Sequence, residues 1–259
     1  MQLPKATLNG AGTTDSRPVL FFDIDNCLYP RSTRVFDQMA QLIDQYFATH
    51  LGVSEEEATR LHREYYTTYG LAIEGLVRHH QIDPLDYNAK VDDALPLEDI
   101  IKPDPQLRKL LEDIDKSKVK LWLLTNAYVT HGRRVVKLLG VEDLFEGLTY
   151  CDYSQIPIIC KPHKNMFLKA MQEAGVERPE DCFFVGRSSL LTALLLKVLN
   201  FTPVDDSYPN CVGAKDIGWT AAHLVEEGLP EPKVKASQYQ IRHLEELRTI
   251  YPQFFKSAN

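Results

Sequence analysis

No two cysteines in this chain are spaced C-x-x-C, and no histidine pair stands at zinc-binding spacing. The five cysteines (Cys27, Cys151, Cys160, Cys182 and Cys211) are scattered and odd in number. That pattern argues against a disulfide framework or a structural zinc and predicts reduced thiols. A long apolar run is also missing. The longest, Leu190 to Phe201, is broken by Thr192, Lys197 and Asn200 and is too short to span a bilayer. Met1 to Ser16 lacks the apolar core of a secretory signal, so residues 1–16 read as a disordered leader. The expected location is cytoplasmic, the nucleus included, with no membrane partner. Basic charge is in deficit: 29 Lys and Arg against 36 Asp and Glu give −7. A nucleic-acid groove would need a basic face, so no nucleic-acid partner is expected. Any phosphate must be held locally, by a metal and one or two cations.

At 259 residues, 44% hydrophobic and 25% charged, the chain can bury a core without disulfide or metal support. A buried-type strand, Val19 to Phe22, comes first. Helical spacing follows at Val35, Phe36, Met39, Ala40, Leu42, Ile43, Tyr46 and Phe47, ended by Gly52. Ser54-Glu55-Glu56-Glu57 reads as a capping box for a helix reaching Gly70. Shorter helices are expected at about 71–81 and 84–94, with no strand signal from Pro30 to Leu95. Another helix spans about Pro105 to Asp115. Beyond it lie a strand at Val119–Asn126, a helix at 129–139 and a short strand at Leu148–Cys151. A helix opened by Lys161-Pro162-His163, a strand at Asp181–Val185, a helix at Asn210–Gly218 and a C-terminal helix at about Ser237–Ile250 complete the reading. Alternating strands and helices predict an α/β fold, a doubly wound, Rossmann-like parallel sheet with a helical cap inserted after the first strand. The expected division is a core of 17–31 and 101–259 and a cap of 32–100.

The chemistry concentrates at Asp23-Ile24-Asp25. Residues two apart share a strand face, so both carboxylates can converge where the strand ends. Two like charges that close need a cation, and Mg²⁺ suits hard carboxylate oxygens. Phosphoryl transfer needs a nucleophile, charge neutralisation and an acid for the leaving group. Asp23 can serve as nucleophile and Asp25 as acid and then base. Thr125 and Asn126, at a strand end, suit hydrogen bonds to phosphate oxygens, and Lys161 offers a point charge. His163 reads as the start of a helix.

These pieces, Asp23-Ile24-Asp25-Asn26-Cys27-Leu28-Tyr29, Leu123-Leu124-Thr125-Asn126, Cys160-Lys161-Pro162-His163 and Val204-Asp205-Asp206-Ser207, resemble the four motifs of the haloacid dehalogenase superfamily in order and approximate spacing. The first string looks like the fungal pyrimidine 5′-nucleotidase branch. The resemblance covers roughly residues 17–255. It implies a Mg²⁺-dependent phosphomonoesterase acting on nucleoside 5′-monophosphates such as UMP and CMP through an aspartyl-phosphate. It also implies a metal shell of Asp23, the Asp25 backbone carbonyl, Asp206 directly and Asp205 directly or one shell out. Dehalogenases proper lack the second aspartate, so Asp25 points to phosphate chemistry. Aromatics of the cap (Tyr65, Tyr66, Tyr69) and Tyr29 are candidates to stack on a base, cap packing being the commoner role. Alternatives are a phosphatase or phosphomutase for another small phosphoester, or an inactive binding protein.

The departure from the pattern is residues 186–204, which separate Phe183-Phe184-Val185 from Asp205. Deleting them restores a continuous strand and motif. Two origins fit: a short non-coding segment read in frame, or a genuine inserted helix. Either displaces the metal motif unless Phe201 to Val204 act as a substitute strand end.

Overall fold

The computed structural model describes residues 15–187, 209–225 and 237–257. Its centre is a six-stranded, all-parallel sheet: β1 (Val19–Phe22), β2 (Lys120–Leu124), β3 (Gly147–Thr149), β4 (Cys182–Arg187), β5 (Thr220–Leu224) and β6 (Tyr239–Ile241), in the order β3-β2-β1-β4-β5-β6. All four β1 residues are buried, as expected for a central parallel strand covered on both faces. Leu20 and Phe22 join a core on one face. Val19 and Phe21 join another, where Phe21 stacks on Trp219 at 4.5 Å between ring centroids. Strand order reverses at β1, between β2 and β4, and in such sheets a crevice opens at the carboxyl ends there. Asp23 leaves β1 at that crevice.

Between β1 and β2 run α1 (Val35–Leu51), α2 (Glu55–Tyr69), α3 (Ala72–His79), α4 (Pro84–Lys90), α5 (Leu97–Ile100) and α6 (Pro105–Glu112). Gly52 ends α1 at φ 64°, a left-handed conformation that glycine adopts without strain. Ser54 caps α2 by accepting from the Glu57 amide at 3.3 Å. Glu57 itself, the reciprocal member of the expected capping box, turns its carboxylate to Arg60. The first four of these helices bury their own apolar cluster. The core loop adds Cys151, Tyr153, Ile158 and Cys160 to it, so helices and sheet share packing. After β2 come α7 (Val129–Leu138), α8 (Lys164–Ala174) and α9 (Pro209–Asp216), with α10 (Leu247–Ile250) near the end.

Three points differ from the expected reading. The helix expected at Ser237–Ile250 gives way to β6, which pairs with Ala222–Leu224 of β5. The helical turns begin only at Leu244, because Glu246 accepts the Arg242 and His243 amides at 2.6 and 2.9 Å and fixes the start there. Strand β5 itself carries little strand signal, since Ala221 and Ala222 are small and weak strand formers. Its place between β4 and β6 supplies the ladder that its composition does not. Third, Gly186 and Arg187, the first two residues of the expected insertion, extend β4 and pair with His223 and Leu224. Residues 188–204 and the first fourteen of the leader lie outside the described residues. Of that leader, Asp15 is held by Arg17 and Lys120.

Gly213 on α9 makes a close approach that matters below. A Cβ there would sit 2.7 Å from the Pro162 carbonyl oxygen and 3.0 Å from Phe167 Cε2. Alanine in a helix gains up to about 1 kcal/mol over glycine, whereas overpacking costs about 1–3 kcal/mol. The contact is with backbone beside Lys161, so the cost wins. Gly213→Ala should destabilise the fold by about 1–2 kcal/mol net, read as a lower urea midpoint at unchanged m-value. Wild-type stability would show that α9 can slide away.

Candidate active site

The sequence places Asp23 one residue beyond β1, where the sheet still holds its backbone: the Asp23 amide donates to the Val185 carbonyl at 2.9 Å. Its side chain is buried against Lys161, whose Nζ lies 2.7 Å from Asp23 Oδ1. The Ile24 amide donates to the same oxygen at 2.9 Å, leaving Oδ2 the less engaged. Burial pushes the Asp23 carboxyl above its ordinary range, while the Lys161 ammonium pulls it down. Lys161 is no solvated surface lysine; it is 1% exposed. Its Nζ also donates to the Leu124 carbonyl at 2.8 Å, and it lies 5.2 Å from the centre of the Phe184 ring. A buried ammonium needs such partners.

Asn126 is what sets Lys161 in place. Its Nδ2 donates to the Lys161 carbonyl at 2.9 Å and its Oδ1 accepts the Lys161 amide at 2.7 Å. The sequence reading gave Asn126 to the phosphate; as placed, it acts on the site through Lys161. Thr125, 1% exposed, accepts the Ala127 amide on Oγ1 at 3.0 Å, which leaves its hydroxyl proton to donate. His163 accepts the Asn165 amide at 3.2 Å and caps α8. Asp205 and Asp206 lie outside the described residues.

Asp25 has partners the sequence did not announce. His131 Nε2, on α7, lies 2.7 Å from Asp25 Oδ1, and the Tyr29 hydroxyl donates to the same oxygen at 2.7 Å. Burial alone would raise the Asp25 carboxyl, but His131 and Tyr29 hold it below its ordinary range. Burial likewise disfavours the His131 cation, and Asp25 overrides that, so the imidazole is raised. Each direction supports the other: the pair holds one proton on the histidine side and titrates as a unit. Tyr29 therefore touches the acid rather than offering a stacking face alone. Tyr65 bonds to His80 and Tyr69 to His79 within the helices, while Tyr66 lines the cavity.

Asn26, Asp92 and Arg187 also line the cavity and were not singled out from sequence. Asn26 adopts φ 56°, a left-handed conformation asparagine tolerates better than most. Its carbonyl accepts from Arg187 Nη1 at 3.1 Å, and its buried Oδ1 has no partner among the described residues. Asp92, buried between α4 and α5, is raised to about 6, chiefly by that burial. An asparagine directly after D-x-D, a residue type that tolerates the left-handed turn, is the one local signal for Asn26; the other two depend on tertiary contact.

The described donors are oxygen-only: the Asp23 carboxylate, the Asp25 backbone carbonyl and the Asn26 Oδ1, which has no partner among the described residues. That set fits a hard divalent cation such as Mg²⁺, which is commonly bound by one or two carboxylates plus water and substrate. Among the described residues, no cluster of three or more His, Cys, Asp or Glu completes a metal cage. The cavity encloses about 150 Å³, room for a small organic molecule rather than water alone.

Comparison with known proteins agrees with this geometry. Residues 18–186 match the family model for haloacid dehalogenase-like hydrolases. Phosphate metabolism protein 8 of Saccharomyces cerevisiae is 45% identical over 190 residues, covering 69% of this chain and 59% of the yeast protein. The chain thus spans under two thirds of that relative's length. Among solved structures, a haloacid dehalogenase-type phosphatase from Thermococcus onnurineus superposes with TM-score 0.56 at 21% identity, covering 90% of this chain and 97% of its own. The magnesium-bound hydrolase YfnB from Bacillus subtilis gives 0.53 at 16%, covering 91% and 99%. L-2-haloacid dehalogenase from Xanthobacter autotrophicus, with chloropropionic acid covalently bound, gives 0.52 at 15%, covering 91% and 98%. Phosphatase and dehalogenase share the architecture, so the structural likeness fixes the fold and the site must decide the chemistry. With the family model matched from β1 through Gly186 and the sheet order and crevice observed directly, the chain belongs to the haloacid dehalogenase-like hydrolase family.

Proposed function

We propose that the chain is a phosphomonoesterase that cleaves nucleoside 5′-monophosphates, pyrimidine ones first, through an aspartyl-phosphate on Asp23. The observation that carries the phosphatase half is the Asp25–His131 pair, 2.7 Å apart beside the nucleophile, with His131 fully buried and Asp25 partly so. A departing halide needs no proton, whereas a departing alkoxide does. The pair holds one. Asp23 attacks phosphorus as the ester P–O bond breaks, and the pair's one proton passes from His131 through Asp25 to the leaving oxygen, leaving Asp25 ionised. In the second half a water gives its proton to Asp25 and attacks the phosphorus, and the P–O bond to Asp23 breaks. Lys161 neutralises charge throughout, and the Thr125 hydroxyl is free to donate to a phosphoryl oxygen. Mg²⁺ would be held by Asp23, the Asp25 backbone carbonyl and the Asn26 oxygen, with Asp205 and Asp206 as proposed further ligands. When bound, it supplies positive charge for the transferring phosphoryl group.

A planar leaving group is supported by aromatic rings on the cavity wall, Phe36, Tyr66, Tyr87 and Tyr153 among them. The test is phosphate release from UMP, with Mg²⁺ and with chelator, beside glucose 6-phosphate as the competing ester. Metal-dependent release that is faster on UMP is expected. Faster release from the sugar phosphate would overturn the nucleotide half, and no release from either would overturn the phosphatase half.

The pair makes its own prediction. His131→Gln keeps a hydrogen-bond donor for Asp25 but removes the group that stores the proton. At neutral pH kcat should fall roughly 10²-fold with KM little changed. Steady-state kinetics decide it, and a fall in KM-dependent affinity alone would assign His131 to binding instead.

A further inference from the structure

The cavity has a second wall, built by the helices between β1 and β2, and one group on it has more than a packing role. His62, on α2, is 4% exposed and lines the same cavity as Asp23 and Thr125. Its Nδ1 lies 2.7 Å from Asp44 Oδ1 on α1. Asp44 is itself steadied by Thr59, whose hydroxyl donates to Oδ2 at 2.8 Å. A carboxylate can only accept, so Nδ1 carries a proton, and in the neutral form of such a ring Nε2 is the acceptor. Nε2 has no hydrogen-bond partner among the described residues. The surrounding wall is largely apolar, formed by Met39, Ile43, Leu71 and Ile73. One oriented acceptor on an apolar wall is the usual construction of a specificity contact.

We propose that His62, oriented by Asp44, reads a hydrogen-bond donor, a hydroxyl or N–H, on the leaving group of the phosphoester. This rests on the phosphomonoesterase reading above. Its consequence is selective: esters whose leaving groups carry such donors gain from His62, and an ester without one does not. A leaving group without such a donor forgoes that hydrogen bond.

The experiment compares wild type, His62→Leu and His62→Gln on UMP, glucose 6-phosphate and p-nitrophenyl phosphate, whose leaving group has no donor, all with Mg²⁺. The expected result for His62→Leu is a drop of about 10- to 100-fold in the ratio of kcat/KM for hydroxylated esters over p-nitrophenyl phosphate. Most of it should lie in KM. His62→Gln should recover part of the ratio, because its amide can donate to Asp44 and present a carbonyl oxygen in place of Nε2. Equal losses on all three esters, or an unchanged ratio, would overturn the proposal and leave His62 a packing residue. A wild type that cleaves glucose 6-phosphate but ignores UMP would overturn only the nucleotide reading, with the His62 contrast still measurable. A wild type inert towards all three would overturn the phosphomonoesterase reading and this one with it.

Discussion

Asp23→Asn is expected to abolish turnover, by at least about 10⁴-fold in kcat, because an amide oxygen is a poor nucleophile for phosphorus. The substitution is nearly isosteric. The asparagine Oδ1 can still accept from Lys161 and from the Ile24 amide, the two contacts that now fall on Asp23 Oδ1. The folded state should therefore survive, at some cost from leaving the Lys161 ammonium without its counter-ion. Circular dichroism and urea unfolding measure the fold, and phosphate release measures the chemistry. Turnover within tenfold of wild type would remove Asp23 from the nucleophile's role and with it the covalent mechanism.

Lys161→Met should be more damaging to stability than to shape. Methionine fills much of the lysine's volume, but the Asp23 carboxylate is then buried with no counter-ion. Breaking one side of a buried pair typically costs about 3–5 kcal/mol. Asp23, already raised by burial, would rise further and be a weaker nucleophile the more it is protonated, so activity should fall as well. Two features separate this account from general disruption. The double variant Asp23→Asn/Lys161→Met removes both charges and should recover most of the lost stability, which a double-mutant cycle reads directly. The deficit of the single variant should also shrink as pH falls. A carboxyl whose folded pKa lies above its unfolded value binds a proton more readily when folded, so acid favours the fold. A deficit independent of pH, or one that persists in the double variant, would place the damage elsewhere.

The scaffold was readable because its signals are local. Val19 to Phe22 and Lys120 to Leu124 are near-continuous apolar runs, and a strand covered on both faces demands that pattern. Gly52 and Gly70 end their helices at φ 64° and 84°, in the left-handed conformation their lack of a side chain permits. Strand β5 and edge strand β6 were not readable, since parallel pairing with neighbours far along the chain makes them strands, and their own composition does not. The C-terminal helix failed for the same reason: periodicity at Ser237–Ile250 is short enough for pairing with β5 to override it.

At the candidate site the sequence alone determined which chemistry was on offer. Two carboxylates two residues apart at a strand end, a strand-end threonine and a lysine in a later loop specify a phosphate-type centre because each residue's functional group is fixed by its identity. What only the tertiary structure decided is how those groups are held. Asn126 grips Lys161 by both backbone groups, Lys161 is buried against Asp23, and His131 reaches Asp25 across 106 positions of chain. Asp44 likewise turns His62 towards an empty acceptor role on the cavity wall. Burial and charge pairing between distant segments set protonation and orientation, and no local pattern in a sequence encodes which distant side chain will arrive.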